Sequence, residues 1–386
     1  MDNTRRRLVF GMGMGMGIGR IRTGAAAATP WFAAGYSDFL SHPASEKGID
    51  GPIRLDRNEN PYGPSPLAIA AMREGLESAN RYPNSSKPLR EKIASHHRVK
   101  PEQILLGCGS SEILKITADA FLKPGKKLVM ATPSFPLLSF YAQNNGVEVA
   151  EVPLAGDRSH DLEAMLAKAD ASTGLVYICN PNNPTGTVTA RTAIDEFLRR
   201  LPPAIPVVID EAYHEYVTPS ASYASLIDRP AGDGRTIVAR TFSKIYALAG
   251  VRIGYAVASP EMAEKLWPFS LQFAENTLAI KAAMAALDDV AHVRQSVQRN
   301  NDQRQEFFNH ANVRMAGVSD SQTNFMLLQV DHPIDEVLTH FRTNNVVLGP
   351  RFPGVDGFVR VSIGRPAEMK EFWRVWDMLP HEGMHK

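Results

Sequence analysis

Short apolar segments alternate with segments of helical periodicity from about residue 100 onward, and this alternation constrains the fold more than any other feature of the sequence. The pattern is typical of stacked strand–helix units, which build a mostly parallel β-sheet with helices on its faces. Seven segments have the length and apolar content of buried strands, at residues 104–106, 127–131, 147–152, 175–179, 207–210, 236–240 and 253–258. The sequence therefore predicts an α/β fold whose large domain contains a mostly parallel seven-stranded sheet.

The pattern changes after the seventh strand, which indicates a second, smaller unit. A helical stretch with few breakers runs from residue 260 to about 309, and shorter elements follow at 325–330, 334–344, 358–363 and 367–379. Strand, helix, strand and helix in this order predict a small α+β domain. The predicted borders are 1–45 for a signal-like or flexible segment, 46–100 for an N-terminal arm and part of the small domain, 101–285 for the large domain and 286–386 for the small C-terminal domain.

Charge and composition exclude several classes of function. The chain balances 42 Lys and Arg against 41 Asp and Glu, so it lacks the basic excess that nucleic-acid binding requires. Its 2 cysteines and 11 histidines do not show the spacing of a metal-ligand set, and we expect no metal site. No apolar segment is long enough for a transmembrane helix, so we also expect no membrane span.

The first 45 residues differ in composition from the rest of the chain. Three consecutive arginines precede Leu8, an apolar stretch rich in Gly and Met runs to Ile18, and an alanine run occupies 25–28. This order is that of a secretory signal, and the paired arginines before Leu8 resemble a twin-arginine signal. We therefore expect export to the periplasm by the twin-arginine route. The alternative is a flexible N-terminal extension on a cytoplasmic protein.

Polar motifs stand where the predicted strands end, at the edge where open α/β sheets bind their ligands. A glycine-rich loop after the first strand leads into Ser110 and Ser111, and hydroxyls at a helix start suit an anion. Later strand ends carry Asp210 and Lys244, with Arg252 eight residues beyond the lysine. A buried charge on Asp or Lys costs free energy of folding unless an opposite charge or a hydrogen bond compensates it. Arginine suits phosphate or carboxylate, and a lysine in a dry pocket can lose its proton and attack carbonyl carbon.

Together with Asn183 and Tyr213, these groups match the needs of pyridoxal 5'-phosphate, which presents an aldehyde, a pyridine nitrogen, a phenolic oxygen and a phosphate. Four motifs occur in order along the chain: Asn183-Pro184-Thr185-Gly186, Asp210-Glu211-Ala212-Tyr213, Ser243-Lys244 and Arg252. As a set they resemble those of the fold-type I, pyridoxal-phosphate-dependent aminotransferases of class I and II.

Further motifs are similar to those of the histidinol-phosphate aminotransferases. They are Asn58-Glu59-Asn60-Pro61-Tyr62-Gly63-Pro64-Ser65, Arg81-Tyr82-Pro83, Gln322-Thr323-Asn324-Phe325 and Arg360-Val361-Ser362-Ile363-Gly364. The resemblance extends from about residue 50 to 380. It implies the fold-type I architecture of a large α/β domain and a small α+β domain.

The resemblance also implies a role for each residue. Lys244 would bond to the cofactor aldehyde and then act as base and acid, and Asp210 would keep the ring nitrogen protonated. Asn183 and Tyr213 would donate hydrogen bonds to the ring oxygen, and Phe135 would stack on the ring. The phosphate would be held by five residues, namely Ser110, Ser111, Thr241, Ser243 and Arg252. Lys244, Asp210 and Tyr213 are thus the predicted catalytic residues.

Three more predicted residues concern the substrate and a second subunit. Arg360 would bind the carboxylate or phosphate of the substrate, because its guanidinium offers a fork of donors. Tyr62 would line the substrate entrance, and Asn183 would also contact the substrate. Tyr82 would reach the cofactor phosphate of the neighbouring subunit. The resemblance therefore implies a homodimer with shared active sites.

The chain departs from the histidinol-phosphate enzymes at one position. We expect those enzymes to carry a second arginine in the strand before Arg360, and this sequence has Gly349 there, with Arg351 two residues later. The predicted reaction is a ping-pong transfer of an amino group to a 2-oxo acid from an amino acid, or from an amino-phosphate such as histidinol phosphate. Gly349 favours an ordinary amino acid as donor.

Two other functions remain open at this point. Threonine-phosphate decarboxylases have very similar cofactor residues, so a pyridoxal-phosphate-dependent decarboxylase or lyase is one alternative. The other is a non-catalytic module that binds the cofactor for regulation, as occurs when this fold is joined to a DNA-binding domain. The balanced charge of the chain disfavours the second alternative.

Overall fold

The computed structural model describes residues 51–228, 232 and 234–380. The predicted twin-arginine signal within residues 1–45 lies outside these ranges. The described chain is arranged around one large sheet and two small ones. None of its helices has both the length and the apolar character needed to cross a membrane.

The N-terminal arm contains a short strand and two helices. Strand β1 is Ile53–Leu55, and helices α1 and α2 are Pro66–Gly75 and Lys87–His97. Helix α1 begins at a proline and α2 begins one residue before one. Proline does not destabilise the first turn, because the N–H that it lacks would have no partner within the helix there. The Ser65 side chain caps α1 by accepting from the backbone N–H of Ala68.

The large sheet contains seven strands: β2 Ile104–Gly107, β3 Lys127–Thr132, β4 Glu148–Pro153, β5 Thr173–Cys179, β6 Val207–Asp210, β7 Thr236–Thr241 and β8 Gly254–Val257. Their order across the sheet is β2-β8-β7-β6-β5-β3-β4. Strand β8 runs antiparallel to β2 and β7, and the remaining pairs are parallel. These observations confirm the predicted mostly parallel, seven-stranded sheet.

Helices cover both faces of this sheet. Those that connect its strands are α3 Ser110–Phe121, α4 Leu137–Asn144, α5 Leu162–Lys168 and α6 Arg191–Arg200. Because successive strand residues point to opposite faces, each strand contributes to two cores. On β5, Val176 and Ile178 belong to one core cluster, whereas Leu175 and Tyr177 belong to the other. Burial on both faces explains why these strands are continuous apolar runs in the sequence.

The chain after β8 contains helices α7 Pro260–Leu266, α8 Thr277–Asp288 and α9 Val290–Val313, then β9 Phe325–Gln329, α10 Ile334–Thr343, β10 Val346–Leu348, β11 Phe358–Ser362 and α11 Pro366–Trp376. Helices α7 and α8 pack on the large sheet, and the smaller unit is built from the end of α9 onward. Strands β9 and β11 pair in antiparallel fashion, and β10 pairs in parallel with β1 of the arm. Phe307, Phe341 and Phe372 from three different helices share one core with these strands. The arm therefore joins the small unit through a strand pair.

The stretch from 260 to 309, predicted as largely helical, is three helices with a break between the first and the second. Pro268 ends α7 in a short 3-10 turn at Trp267–Phe269, because proline has no N–H for a continuing helix. Asn276 and Asp289 then accept from the backbone N–H of Ala279 and His292, and so cap the next two helices. The prediction missed these caps and ended α9 four residues early.

Candidate active site

The candidate site lies where β2, β5, β6 and β7 end. These ends are neighbours in the sheet, or are joined through β8, so the loops that follow them meet at one edge. Asp210 is the last residue of β6 and Thr241 the last of β7. The loop after β5 carries Asn183. Parallel strands thus bring together residues that lie far apart in sequence.

An anion cradle forms between the start of α3 and Arg252. Gly109 precedes α3 with φ +78°, a conformation that favours glycine, and a Cβ there would collide with the Arg252 guanidinium. Arg252 Nη1 donates to Ser243 Oγ at 3.4 Å and to the carbonyl of Ala249 at 3.0 Å. Ser110 and Ser111 open the helix, whose first amides point out of its N-terminus. Amides, hydroxyls and a guanidinium in this arrangement suit a phosphate.

Asp210 is a buried carboxylate with two hydrogen bonds. Its Oδ2 accepts from the hydroxyl of Tyr177 at 2.9 Å, and its Oδ1 accepts from the backbone N–H of Ala212 at 3.1 Å. Burial raises the pKa of Asp210 to about 6, because the low-dielectric interior disfavours the charged form. A cation placed against this carboxylate would stabilise its charged form.

Lys244 directs its amine toward the arm. Its Nζ donates to the backbone carbonyls of Arg57 at 3.0 Å and Asn58 at 3.2 Å, and it lies 5.6 Å from the centre of the Tyr213 ring. Burial lowers the pKa of Lys244 to about 8, and the nearby guanidinium of Arg360 acts in the same direction. An appreciable share of the amine is therefore neutral near pH 8.

Arg360 on β11 faces Asn183 across the boundary between the small unit and the large sheet. Its Nη1 donates to Asn183 Oδ1 at 2.7 Å, and its Nη2 donates to the backbone carbonyl of Asp56 at 2.5 Å. The guanidinium carbon lies 4.8 Å from the centre of the Phe352 ring. Its Nε is buried and has no hydrogen-bond partner among the described residues. Burial lowers the pKa of Arg360 to about 10.

Gly349 makes room for this guanidinium. A Cβ at position 349 would lie 3.2 Å from Nε and 3.3 Å from Nη2 of Arg360, closer than ordinary van der Waals contact. Arg351, the nearest arginine in sequence, is exposed and forms an ion pair with Asp356 at 3.2 Å. The described site thus has Arg360 against Asn183, while Arg351 is engaged at the surface.

Asn58 of the arm connects several of these groups. Its Nδ2 donates to the hydroxyl of Tyr213 at 3.0 Å, its backbone N–H donates to Ser362 Oγ at 2.8 Å, and its carbonyl accepts from Asn324 Nδ2 at 3.0 Å. Burial raises the pKa of Tyr213. The sequence predicts no role for Asn58 or Tyr177. Asn58 was visible only as part of a motif, and nothing in the sequence distinguished Tyr177 from other aromatic residues of buried strands.

The remaining predicted residues lie at different depths. Thr241 is buried, and its Oγ1 accepts from the backbone N–H of Ser243 at 3.1 Å. Phe135 is half-buried and packs against the core beside β3. Tyr62 lies under Arg299, whose guanidinium carbon is 4.6 Å from the ring centre. Tyr82 is 77% exposed and lies at the surface of the described chain.

The described residues were also compared with the requirements of a metal site. Within residues 51–228, 232 and 234–380, no group of three or more His, Cys, Asp or Glu could hold a metal ion. Cys179 is buried and Cys108 half-buried, and both are free thiols.

Comparisons with known proteins agree with this geometry. Residues 50–375 match the family model described as aminotransferase class I and II. A histidinol-phosphate aminotransferase of Moorella thermoacetica is 39% identical over 332 residues, which cover 85% of this chain and 86% of that protein.

Two solved structures have a similar fold. The histidinol-phosphate aminotransferase of Sinorhizobium meliloti, in complex with pyridoxal-5'-phosphate, has a TM-score of 0.80 at 25% identity and covers 92% of this chain and 98% of its own. The L-threonine-O-3-phosphate decarboxylase of Porphyromonas gingivalis has a TM-score of 0.73 at 26% identity, with 84% and 98% covered.

Proposed function

The chain belongs to the class I and II aminotransferase family, and from this premise we propose which residues carry the reaction and which substrates enter the site. It is an aminotransferase with the fold-type I architecture, and its cofactor is pyridoxal phosphate. When bound, this cofactor supplies an aldehyde that reacts with amines and a ring that withdraws electrons from the substrate carbon.

The residues present fit this cofactor. The cradle of Gly109, Ser243 and Arg252 suits its phosphate, since a Cβ at position 109 would fill the space that the guanidinium occupies. Asp210 is a buried carboxylate without a cationic hydrogen-bond partner in the described chain, which suits a protonated ring nitrogen. Tyr213 contacts Asn58 through its hydroxyl and Lys244 over its ring, and that hydroxyl would donate to the phenolic oxygen of the cofactor. Each function of the cofactor thus meets a side chain of matching chemistry.

Lys244 carries the proton transfer in this proposal. Its lowered pKa leaves a neutral amine that can take a proton from the substrate carbon and later return it. The carbonyls of Arg57 and Asn58 accept from the amine and hold it in place when it is not bonded to the cofactor. Tyr213 and Asn183 would donate hydrogen bonds to the ring oxygen of the cofactor, and Phe135 would supply an aromatic face for the ring.

Arg360 receives the anionic group of the substrate. The observation that carries this step is the buried Nε of Arg360, a donor without a partner in the described residues. A buried N–H of this kind costs free energy until an acceptor arrives. A substrate carboxylate can accept from Nε and one terminal nitrogen together, which is the bidentate geometry that guanidinium favours.

The substrates are ordinary amino acids and 2-oxo acids. A substrate phosphate carries up to two negative charges, and a second cation beside Arg360 would balance them better than Arg360 alone. Gly349 supplies none, and Arg351 is held by Asp356 at the surface. The amino group passes from the amino acid to the enzyme, the 2-oxo product leaves, and a second 2-oxo acid collects the amino group in a ping-pong sequence.

Histidinol phosphate is the second candidate donor. The observation in its favour is that the relatives at 36–39% identity are histidinol-phosphate aminotransferases. With this donor Arg360 would bind phosphate in place of carboxylate, since a guanidinium fork suits both anions. Tyr62 would line the entrance in either case.

A half-reaction screen tests the assignment. Single amino acids and histidinol phosphate are added to the purified protein, and the conversion of the cofactor from its pyridoxal to its pyridoxamine absorbance is recorded. We expect conversion by amino acids, and reversal when a 2-oxo acid is added. Conversion by histidinol phosphate alone would replace the first candidate with the second. Release of carbon dioxide without reversal by any 2-oxo acid would identify a decarboxylase.

The proposal includes a homodimer with shared sites. Leu76, Tyr82, Leu271 and Phe273 are all more than half exposed, and the Tyr82 and Phe273 rings lie 5.0 Å apart. Large apolar side chains gathered at a surface mark an interaction site. A second copy of the chain covers them here, and Tyr82 then reaches the cofactor phosphate of that copy.

Export is the last part of the proposal. The basic, then apolar, then alanine-rich order within residues 1–45 supports a twin-arginine signal that delivers a folded protein to the periplasm. Fractionation of cells expressing the full chain tests it. Replacement of Arg6 and Arg7 by lysine should move the protein from the periplasmic to the cytoplasmic fraction. An unchanged distribution would overturn this part of the proposal.

A further inference from the structure

Tyr177 places a hydroxyl deep inside the large sheet, against the carboxylate of Asp210. The side chain is fully buried in the middle of β5, and its hydroxyl donates to Asp210 Oδ2 at 2.9 Å. Cys179, two residues further along β5, is the direct neighbour of Asp210 in the strand pairing. Tyr177 and Cys179 therefore share the face of the sheet on which the Asp210 side chain lies.

The hydroxyl has no packing reason to be there. Tyr177 belongs to a core cluster of apolar side chains that includes Leu175, Met130 and Val208. A phenylalanine ring fills such a space equally well, and a buried hydroxyl costs free energy unless it forms a hydrogen bond. The partner that Tyr177 finds is Asp210, the carboxylate that the proposed function assigns to the cofactor ring.

Asp210 meets opposing electrostatic influences at this position. Burial and the neighbouring Glu211 disfavour its charged form, whereas Tyr177, the Ala212 N–H and the Lys244 ammonium favour it. The Glu211 carboxylate is itself neutralised by Arg240 at 2.8 Å. The Tyr177 hydroxyl is the one side-chain hydrogen bond to Asp210 within the described ranges.

We propose that Tyr177 is a positioning residue for the cofactor: its hydroxyl fixes the carboxylate plane of Asp210 and holds that carboxylate in the charged form that pairs with the ring nitrogen. With Oδ2 bound to Tyr177 and Oδ1 to the Ala212 N–H, the carboxylate group cannot rotate freely. A hydrogen bond to the charged form also stabilises that form. The inference rests on the proposed role of Asp210 and extends it to a residue that does not itself touch the cofactor.

The test measures pyridoxal phosphate binding to the full chain between pH 5 and 9, without a substrate. Tyr177→Phe removes the hydroxyl and keeps the ring. Tyr216→Phe is the matched control, because Tyr216 is also 2% exposed or less but belongs to the core on the other face of the sheet. Both substitutions are repeated in an Asp210→Asn background. Thermal unfolding of each variant verifies that the core is retained.

We expect Tyr177→Phe to weaken binding of the cofactor about tenfold at pH 7, the effect of one hydrogen bond to a charged group. The pH at which binding weakens on acidification should move upward, because Asp210 then protonates more readily. Tyr216→Phe should change neither quantity. In the Asp210→Asn background, Tyr177→Phe should have little further effect, since the two residues act as a pair.

Three results would overturn the inference, and they lead to two distinguishable conclusions. If Tyr177→Phe gives the affinity and pH profile of Tyr216→Phe, while Asp210→Asn still weakens binding, Tyr177 is a core residue only. The same conclusion holds if the full effect of Tyr177→Phe persists in the Asp210→Asn background. If Asp210→Asn alone changes nothing, the proposed role of Asp210 fails first.

Discussion

At the scale of single residues, the site depends on groups that are buried without full compensation. Arg360 keeps an unpaired Nε, Asp210 is ionised in an interior that raises its pKa, and Lys244 is held with a pKa of about 8. Such groups reduce the stability of the empty protein. A bound ligand offsets this loss when it brings an acceptor to Arg360, a cation to Asp210 or a carbonyl carbon to Lys244. The two predictions at this scale therefore concern ligand binding.

The first prediction concerns the pH dependence of Lys244. With a pKa of about 8, about one amine in ten is neutral at pH 7, against about one in three thousand for a lysine of pKa 10.5. Because the lysine pKa is lowered, the neutral form is gained as pH rises through 8. Covalent capture of pyridoxal phosphate, trapped with borohydride, should therefore accelerate with a midpoint near pH 8.

The controls for this prediction are two substitutions. Lys244→Ala should abolish specific capture, and Lys265→Ala, at an exposed position of α7, should leave it unchanged. Peptide mapping of the reduced adduct identifies the modified lysine. A midpoint near 10.5 would show that the site does not lower the pKa of this amine.

The second prediction concerns Gly349. Gly349→Ala introduces a Cβ 3.2 Å from Nε of Arg360, so the guanidinium must move away from the position in which it meets a substrate anion. We expect KM for the amino acid to rise about tenfold, the cost of one misplaced charged hydrogen bond, with cofactor absorbance unchanged. Gly156→Ala is the control, because no heavy atom lies within 4 Å of its added methyl group. Equal KM values in the two variants would contradict the prediction.

At the scale of elements, Arg240 joins the ends of β6 and β7. Its Nη2 lies 2.8 Å from Glu211 Oε2, and its Nη1 lies 3.1 Å from Glu215 Oε1, all in the interior. Burial raises the pKa of Glu215. Because Asp210 precedes Glu211 and Thr241 follows Arg240, this ion pair fixes two strand ends that carry site residues.

The third prediction follows from that ion pair. Arg240→Met leaves Glu211 buried without its cation, and we expect a loss of about 3–5 kcal/mol in the free energy of unfolding. Arg199→Met removes an arginine whose ion pair with Glu196 is exposed, and should produce no measurable change. Urea unfolding of both variants with saturating cofactor measures the difference. Equal stability would mean that the buried pair is dispensable.

The elements differ in how far the sequence could predict them. All seven strands of the large sheet were foreseen, because burial on both faces makes each a continuous apolar run. Strands β1 and β10 were missed, since three residues carry no periodic signal and each exists through the other. The caps Asn276 and Asp289 were missed because a single polar residue in a helical pattern is a weak signal.

The site residues also include some that the sequence could predict and some that it could not. Lys244, Asp210 and Asn183 could be predicted because strand ends converge in a parallel sheet. The contact of Arg360 with Asn183, the bond of Tyr177 to Asp210 and the three bonds of Asn58 could not be predicted from a pattern. They depend on how side chains from distant elements meet, and no local property of the sequence encodes that.

At the scale of the whole molecule, the predicted shared site makes a quantitative test possible. A Lys244→Ala chain mixed with a Tyr82→Ala chain forms hybrid dimers in which one site lacks both residues and the other lacks neither. If Tyr82 acts in the neighbouring subunit, reassembled equal mixtures should recover about a quarter of the wild-type activity, since about half of the dimers are hybrids. If Tyr82 acts within its own chain, mixing recovers nothing. Sedimentation analysis establishes the oligomeric state beforehand.

The pairing of β1 with β10 also sets an order of events during synthesis. Ile53–Leu55 emerge early from the ribosome, but their partner Val346–Leu348 follows roughly 290 residues later. At about 5–20 residues per second, this first strand waits some 15–60 s for its neighbour, long after the large sheet has its own strands. Strand β1 is thus made early in synthesis but is paired only near its end. Translation must therefore be almost finished before the arm can take its final position beside Lys244.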